Sequence, residues 1–203
     1  MFLRTLNYPV EPTDYISTMK RLFQTTLFIV VVLSVFTSCV REKTIVRKTM
    51  ENFLESNVVL TDDLYVVDDR VYANADLSNL CNLKLIVYVD SLSCSSCRIA
   101  HFIDLLPLYE MAESDGRFSI VAIFSPRVSE IPDVERQLML LDFPYPIYVD
   151  VSGEFARQNQ IPKDSRFHYF LSDDNGQILF VGNPIANEQL KSVFSSTLHN
   201  IKN

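Results

Sequence analysis

The sequence lacks tryptophan, internal repeats, low-complexity segments and any cluster of basic residues. A formal net charge of −7 without a basic cluster argues against nucleic acid as a partner, because phosphate binding requires concentrated Lys and Arg. The apolar run at residues 27–36 is too short for a comfortable membrane span. Hydrophobic residues nevertheless make up 48% of the 203 residues, so we expect a packed core. The length suits one domain plus a leader.

The N-terminal segment has the layout of an export signal. A basic start at residues 19–21 precedes the apolar run, and the small residues Thr37 and Ser38 then precede Cys39. Residues 1–18 lie upstream of that start and are interpreted as an extension. A signal anchor with an incidental cysteine is the alternative interpretation.

The small-small-Cys ending resembles the lipobox of bacterial lipoprotein signals. This resemblance implies that residues 19–39 form a lipoprotein signal peptide and that Cys39 becomes the lipidated first residue, anchored to a membrane. Residues 40–50 are polar and charged and are expected to serve as a tether. The folded domain is then predicted to cover residues 51–203.

The remaining cysteines include a C-x-x-C motif. Cys94 and Cys97 follow an apolar, β-rich run at 85–89 and precede an amphipathic segment, which predicts a strand, a turn and a helix. A helix N-terminus favours an anion and therefore lowers a cysteine pKa. C-x-x-C beside a βαβ pattern indicates redox chemistry, in an oxidising compartment if the chain is exported. Cys81 is expected to be a free, buried core residue, although its pairing with either motif cysteine is left open.

The hydrophobic pattern predicts alternating strands and helices followed by a hairpin and a closing helix. The folded domain is predicted to begin with a hairpin of residues 58–60 and 64–67. Its central strands are predicted at 85–89, 117–124 and 144–150. Helices are predicted at 97–113 (kinked at Pro107), 134–141, 152–159 and 187–200. The late hairpin joins 168–172 to 177–181 through an Asn-Gly turn.

This order is the thioredoxin topology. From about residue 50 onward the chain resembles the thioredoxin-like proteins of bacterial envelopes, in the TlpA/redoxin group, and residues 165–184 are similar to thioredoxin-like lipoproteins of Bacteroidetes. The resemblance implies an α/β, thioredoxin-like fold, with a central mixed sheet flanked by helices and a small N-terminal β extension. It also implies a membrane-tethered thiol–disulfide oxidoreductase of the cell envelope, facing the periplasm or cell surface. By this resemblance, Cys94 is expected to attack a disulfide and Cys97 to resolve the mixed disulfide that forms. The expected partners are envelope proteins that carry thiols or disulfides, and no cofactor is expected besides the redox-active disulfide.

The sequence departs from the family pattern at three positions. No Trp precedes Cys94, Tyr88 stands where many members have a buried acid, and Phe167 stands where a cis-proline belongs. A cis bond before Phe167 is not expected, because the cis form of a non-proline peptide costs about 2.5–4 kcal/mol. Arg166 and His168 flank Phe167 in place of the expected pattern.

Four residues are candidates for supporting the cysteines, namely Asp90, Arg166, Phe167 and His168. Asp90 is either a proton acceptor or a solvated turn residue. Arg166 either stabilises a thiolate or pairs with a local acid such as Asp164. His168 is either a base and counter-charge, or part of the sheet surface.

Two other functions stay open. The first is a non-catalytic envelope module in which Cys94–Cys97 is a structural disulfide, as the three departures favour. The second is a Sco-like copper-delivery protein that binds the metal through Cys94, Cys97 and His168, since two thiolates and an imidazole suit Cu(I). The Sco-like pattern has three residues between its cysteines, and this chain has two.

Overall fold

A computed structural model describes residues 12–61, 63–68, 71–90 and 95–201, and of 12–18, 20, 29–41, 71, 72, 95 and 96 it describes the backbone alone. The chain divides into two compact units, Met1–Lys48 and Thr49–Asn203. The described part of the first unit is helical and belongs to α1 (Pro12–Leu54), whose last residues lie in the second unit. Within the described part of the chain, no helix carries an apolar stretch that is long enough to cross a membrane.

The predicted signal peptide, with its apolar run and lipidated Cys39, depends on side chains that lie outside the described residues. The predicted division into extension, signal, tether and domain therefore stays a prediction.

The second unit is built on one mixed sheet. Its strands, in the order of their positions across the sheet, are β2 (Val71–Asn74), β1 (Tyr65–Asp68), β5 (Ile147–Val149), β4 (Phe118–Ser125), β3 (Leu83–Asp90), β6 (Tyr169–Ser172) and β7 (Ile178–Val181). Strands β3, β4 and β5 are parallel, whereas the two outer pairs on either side are antiparallel.

Helices cover both faces of this sheet. They are α2 (Ser95–Ala100), α3 (Leu106–Asp115), α4 (Ile131–Leu140), α5 (Glu154–Gln158) and α6 (Glu188–Asn200), with short 3-10 helices at His101–Leu105, Val128–Glu130 and Ser165–Phe167. Alternate residues of β3 point to opposite sides, so Val87 joins the core formed with Ile99 of α2, while the Tyr88 ring packs near Phe155 of α5. Both faces are therefore buried, as the continuous apolar run predicted.

The predicted first hairpin is wrong in its pairing. β1 pairs with β2 and β5, whereas residues 58–60 form no strand. The Val58 N–H instead donates to the carbonyl of Gly176 at 2.7 Å, and Asn57 bridges Gln177 beside β7. Gly176 has a φ of 81°, and an added Cβ would collide with the Val58 carbonyl, so the close approach requires glycine. The small N-terminal β extension is present, but β2 replaces the expected partner.

The predicted long helix after the C-x-x-C motif is divided into three pieces. α2 ends at Ala100, a 3-10 helix covers His101–Leu105, and α3 starts at Leu106. Pro107 lies in the first turn of α3, where a missing N–H has no intrahelical partner to lose. The proline therefore starts a new helix and does not kink a continuous one.

Candidate functional site

The motif lies where the central strand passes into α2. β3 ends at Asp90, α2 begins at Ser95, and Cys97 is the third residue of α2 and is exposed. Ile99, two residues later, is buried against the core, which fixes α2 to one face of the sheet. Cys94 lies outside the described residues, so its predicted role as the attacking cysteine stays a prediction.

A charged pair adjoins Cys97. Arg98 Nη2 lies 4.0 Å from Asp90 Oδ1, and the carboxylate is more buried than the guanidinium, with 16% and 45% of the side chains exposed. Asp90 is paired with Ser125, the last residue of β4. Both lie where the parallel strands end, and we call this end of the sheet the carboxyl edge (Asp90, Ser125 and Asp150). Asp90 thus faces a cation beside Cys97, and its role as a proton acceptor stays a prediction.

The Arg166 side chain pairs with the local acid. Its Nε and Nη2 donate to Asp164 at 2.9 and 2.6 Å, and the Arg166 N–H donates to the same carboxylate at 3.0 Å. These hydrogen bonds lower the pKa of Asp164, first through the Arg166 side chain. Asp164 also caps the 3-10 helix Ser165–Phe167 in this way. The geometry matches the local alternative considered for Arg166.

Phe167 is a core residue. Only 1% of it is exposed, and its ring meets Phe53 edge-on at a centroid distance of 6.4 Å. The described residues contain no cis peptide bond, so the bond before Phe167 is trans, as expected. The position that would hold a cis-proline beside the cysteines is used here for packing.

His168 is buried and hydrogen-bonded to the backbone. It is 6% exposed, its Nε2 donates to the Pro162 carbonyl at 2.9 Å, and its ring meets Tyr88 edge-on at 5.1 Å. The carbonyl accepts only, so Nε2 must carry its proton and is not available there as a base. Among the described residues, no group of three His, Cys, Asp or Glu is arranged to hold a metal ion. The copper set includes Cys94 and therefore stays untested.

Asp150 is a buried carboxyl that is not among the site residues predicted from the sequence. It follows β5, is 1% exposed, and its Oδ2 has no hydrogen-bond partner within the described part of the chain. Burial raises its pKa, while N–H groups at the start of α5 and the hydroxyls of Ser152 and Ser125 act in the opposite direction. Ser125 also interacts with the Tyr88 hydroxyl. Tyr88 thus forms a polar cluster with Ser125 and Asp150 of the carboxyl edge, on the α5 side of the sheet.

Cys81 lies at the other end of β3. Its N–H donates to Ser119 Oγ at 2.9 Å, and the side chain is half-buried. The strand separates Cys81 from α2 by about 25 Å, whereas a disulfide needs Cα atoms within about 7 Å. Cys81 therefore cannot pair with Cys97 in this fold.

No protein-family model matches the chain, and no curated protein is significantly similar to it. Three solved structures are similar to part of the chain. A Chlorobium tepidum chain assigned as a thiol:disulfide interchange protein DsbE is 15% identical (TM-score 0.45), and the match covers 71% of this chain and 99% of that one. A thioredoxin-like protein from Porphyromonas gingivalis is 14% identical (TM-score 0.42; 71% and 93% covered). StoA from Bacillus subtilis is 19% identical (TM-score 0.40; 66% and 98% covered).

The strand order and directions of this chain give a mixed α/β arrangement, with three parallel strands and a terminal antiparallel hairpin. The predicted α/β, thioredoxin-like fold is confirmed.

Proposed function

We propose that the protein is a membrane-tethered thiol–disulfide oxidoreductase of the cell envelope that uses the pair Cys94–Cys97. The observation that carries this proposal is the exposure of Cys97 on the first turn of α2, directly after the buried central strand. A thiol in that position is accessible to a partner and lies beside the cation of Arg98.

The proposed reaction has two steps. The Cys94 thiolate attacks one sulfur of a partner disulfide, the partner S–S bond breaks, and a mixed disulfide forms as the partner's first thiolate leaves. The Cys97 thiolate then attacks the Cys94 sulfur, which releases the partner's second thiolate and leaves a Cys94–Cys97 disulfide. Two electrons pass to the partner, and a dithiol reductant restores the pair. No cofactor enters either step.

Export and lipidation of Cys39 would place this reaction at the membrane surface, with envelope proteins as partners. The support for that location is the signal layout of residues 19–39. The polar segment at 40–50 would give the domain its reach from the membrane.

The test is turnover of insulin disulfides by the full-length protein with dithiothreitol as reductant. We expect turnover by the parent protein, none by Cys94→Ser, and none by Cys97→Ser, which should instead accumulate a mixed disulfide with insulin. Cys81→Ser is the matched control and should keep the parent rate, because Cys81 lies at the far end of β3. Undiminished turnover by Cys94→Ser, or none by the parent protein, would contradict the proposal.

A non-catalytic module is the second candidate, and a specific observation favours it. Arg166, Phe167 and His168 are all engaged in pairing or packing, so the loop before β6 offers the cysteines no free base. In that case the Cys94–Cys97 pair would be a structural disulfide. Copper delivery remains a third proposal, in which His168 would bind the metal through Nδ1 while Nε2 keeps its hydrogen bond to the Pro162 carbonyl.

A further inference from the structure

A pocket of about 270 Å³ lies between the end of α1 and the end of α5, within the second unit. We call it the amide pocket. Its lining includes Asn52, Phe53, Asn57, Gln158, Gln160 and Pro162. α5 packs on the face of the sheet opposite α2, so the amide pocket is separate from the cysteine junction.

The chemistry of the amide pocket is neutral and rich in hydrogen-bonding groups. None of the described residues that line it is charged. The side-chain amides of Asn52, Gln158 and Gln160 form no hydrogen bond with the described part of the chain. Each amide offers two N–H donors and a carbonyl acceptor, so these three side chains can donate to and accept from one ligand. A carboxylate or an ammonium group would find no counter-charge there.

The two walls of the pocket are held together by Asn159. This buried side chain accepts from the Val59 N–H at 2.7 Å and donates to the carbonyls of Val59 and Phe155, both at 2.9 Å. The segment after α1 is thereby fixed to the end of α5. The pocket is a preformed feature of the fold, which small-molecule sites usually require.

Gln160 has a backbone conformation that glycine would adopt more readily. It lies just past the end of α5 with a φ of 48°, and the following Ile161 N–H closes the helix by donating to the Ala156 carbonyl at 3.0 Å. Glycine is the usual residue at this left-handed position after a helix. The fold therefore gains nothing from a glutamine there, whereas the pocket gains a donor and an acceptor. Non-glycine residues held in this region concentrate at functional sites.

We propose that the amide pocket binds a neutral carbohydrate, of the size of one sugar residue. Sugar hydroxyls both donate and accept, which matches side-chain amides better than any charged group does. The apolar Pro162 in the lining suits the C–H surface of a sugar ring. This site would give the protein a second activity, independent of the proposed thiol chemistry.

The test is a ¹⁵N NMR titration of the full-length protein with glucose, mannose, galactose, N-acetylglucosamine and N-acetylgalactosamine, each up to tens of millimolar. At least one sugar should shift the side-chain NH₂ signals of Asn52, Gln158 and Gln160. The central variant is Gln160→Gly. It should raise the melting temperature, because it relieves the left-handed strain, and weaken sugar binding by about tenfold. Gln189→Ala, an exposed glutamine on α6, is the matched control and should change neither quantity.

Three results would overturn the proposal. In the first, no sugar of the panel shifts the three amide signals. In the second, Gln160→Gly binds the sugar as tightly as the parent protein. In the third, N-acetylglycinamide, a neutral peptide-like probe, shifts the same signals as strongly as the best sugar, which would assign the pocket to polypeptide.

Discussion

The two faces of the sheet differ at the carboxyl edge. On the α2 face, Cys97 is exposed and Arg98 lies at a loose 4.0 Å from Asp90. On the α5 face, Phe167 and His168 are buried and hydrogen-bonded or packed, and the nearby Asp150 is almost fully enclosed. One face exposes a cysteine of the C-x-x-C motif, whereas on the other face Phe167 and His168 are engaged within the fold.

This difference separates chemistry from support. In the sequence, Arg166 and His168 are candidates for supporting the cysteines, because cations and imidazoles stabilise thiolates. In the structure, Arg166 forms an ion pair with Asp164, and His168 donates a hydrogen bond to the Pro162 carbonyl. We therefore expect thiol chemistry on the α2 face and a stabilising role for the α5 face, so substitutions on the two faces should have different consequences.

The largest effect should come from Phe167→Ala. Phe167 is fully buried against Phe53, so truncation leaves a cavity and should lower the free energy of unfolding by about 3–5 kcal/mol. Urea unfolding measures this change. Ile103→Ala, at a half-exposed apolar side chain, is the control and should cost no more than about 0.5 kcal/mol. Equal effects at the two positions would show that the loop before β6 is not part of the core.

Asp150→Asn should have a smaller and pH-dependent effect. Burial raises the pKa of Asp150 in the folded state above its ordinary value of 3.8. The stability that its neutral form provides is complete below about pH 3.8 and is lost as the pH rises through the folded-state pKa. Asn stays neutral, so the variant should be more stable than the parent at pH 7, by on the order of 1–2 kcal/mol.

The free energies of unfolding of parent and variant, measured between about pH 3 and about pH 8, test this prediction. The curves of parent and variant should converge at the acid end and separate as the pH rises. Ser152→Ala serves as a control that removes a neighbouring hydroxyl and leaves the carboxyl in place. A variant that is less stable than the parent at pH 7 would show that the ionised carboxylate is needed in the fold.

Arg166→Ala should have the smallest effect. More than half of its side chain is exposed, and exposed ion pairs contribute about 0–1 kcal/mol. Because Arg166 pairs with Asp164 and not with a thiolate, insulin turnover should stay within about twofold of the parent rate. Arg98→Ala is the comparison on the other face, and it should slow turnover more. A large loss of turnover in Arg166→Ala alone would reverse the assignment of the two faces.

The fold could be predicted where the sequence pattern has one physical meaning. The apolar, β-rich run at 85–89 predicts a buried strand, and it lies within β3. Asn175-Gly176 predicts a turn, and Gly176 has the positive φ that such a turn requires. The first hairpin could not be predicted in the same way. Residues 58–60 are as β-like as β2, but Val58 and Val59 form hydrogen bonds with Gly176 and Asn159, which lie more than about 95 residues away in the sequence.

The candidate site was predicted in part for a related reason. The position of Cys97 in the first turn of a helix follows from local order, since an apolar β-rich run followed by an amphipathic segment predicts a strand, a turn and a helix. The burial of His168 and Asp150 depends on what packs over them from other elements, here Tyr88 and the start of α5. Their partners are distant in sequence, so a local sequence pattern cannot predict which polar side chain is buried in the fold and which is accessible to solvent.

The most direct test of the central claim is the reduction potential of the Cys94–Cys97 pair in the full-length protein, measured by equilibration in glutathione or dithiothreitol buffers. Catalytic pairs have higher potentials than structural disulfides, which usually lie below about −300 mV. We expect a reduction potential above about −300 mV for the parent protein, and the same potential for Arg166→Ala. A potential well below about −300 mV would contradict it and identify the pair as a structural disulfide.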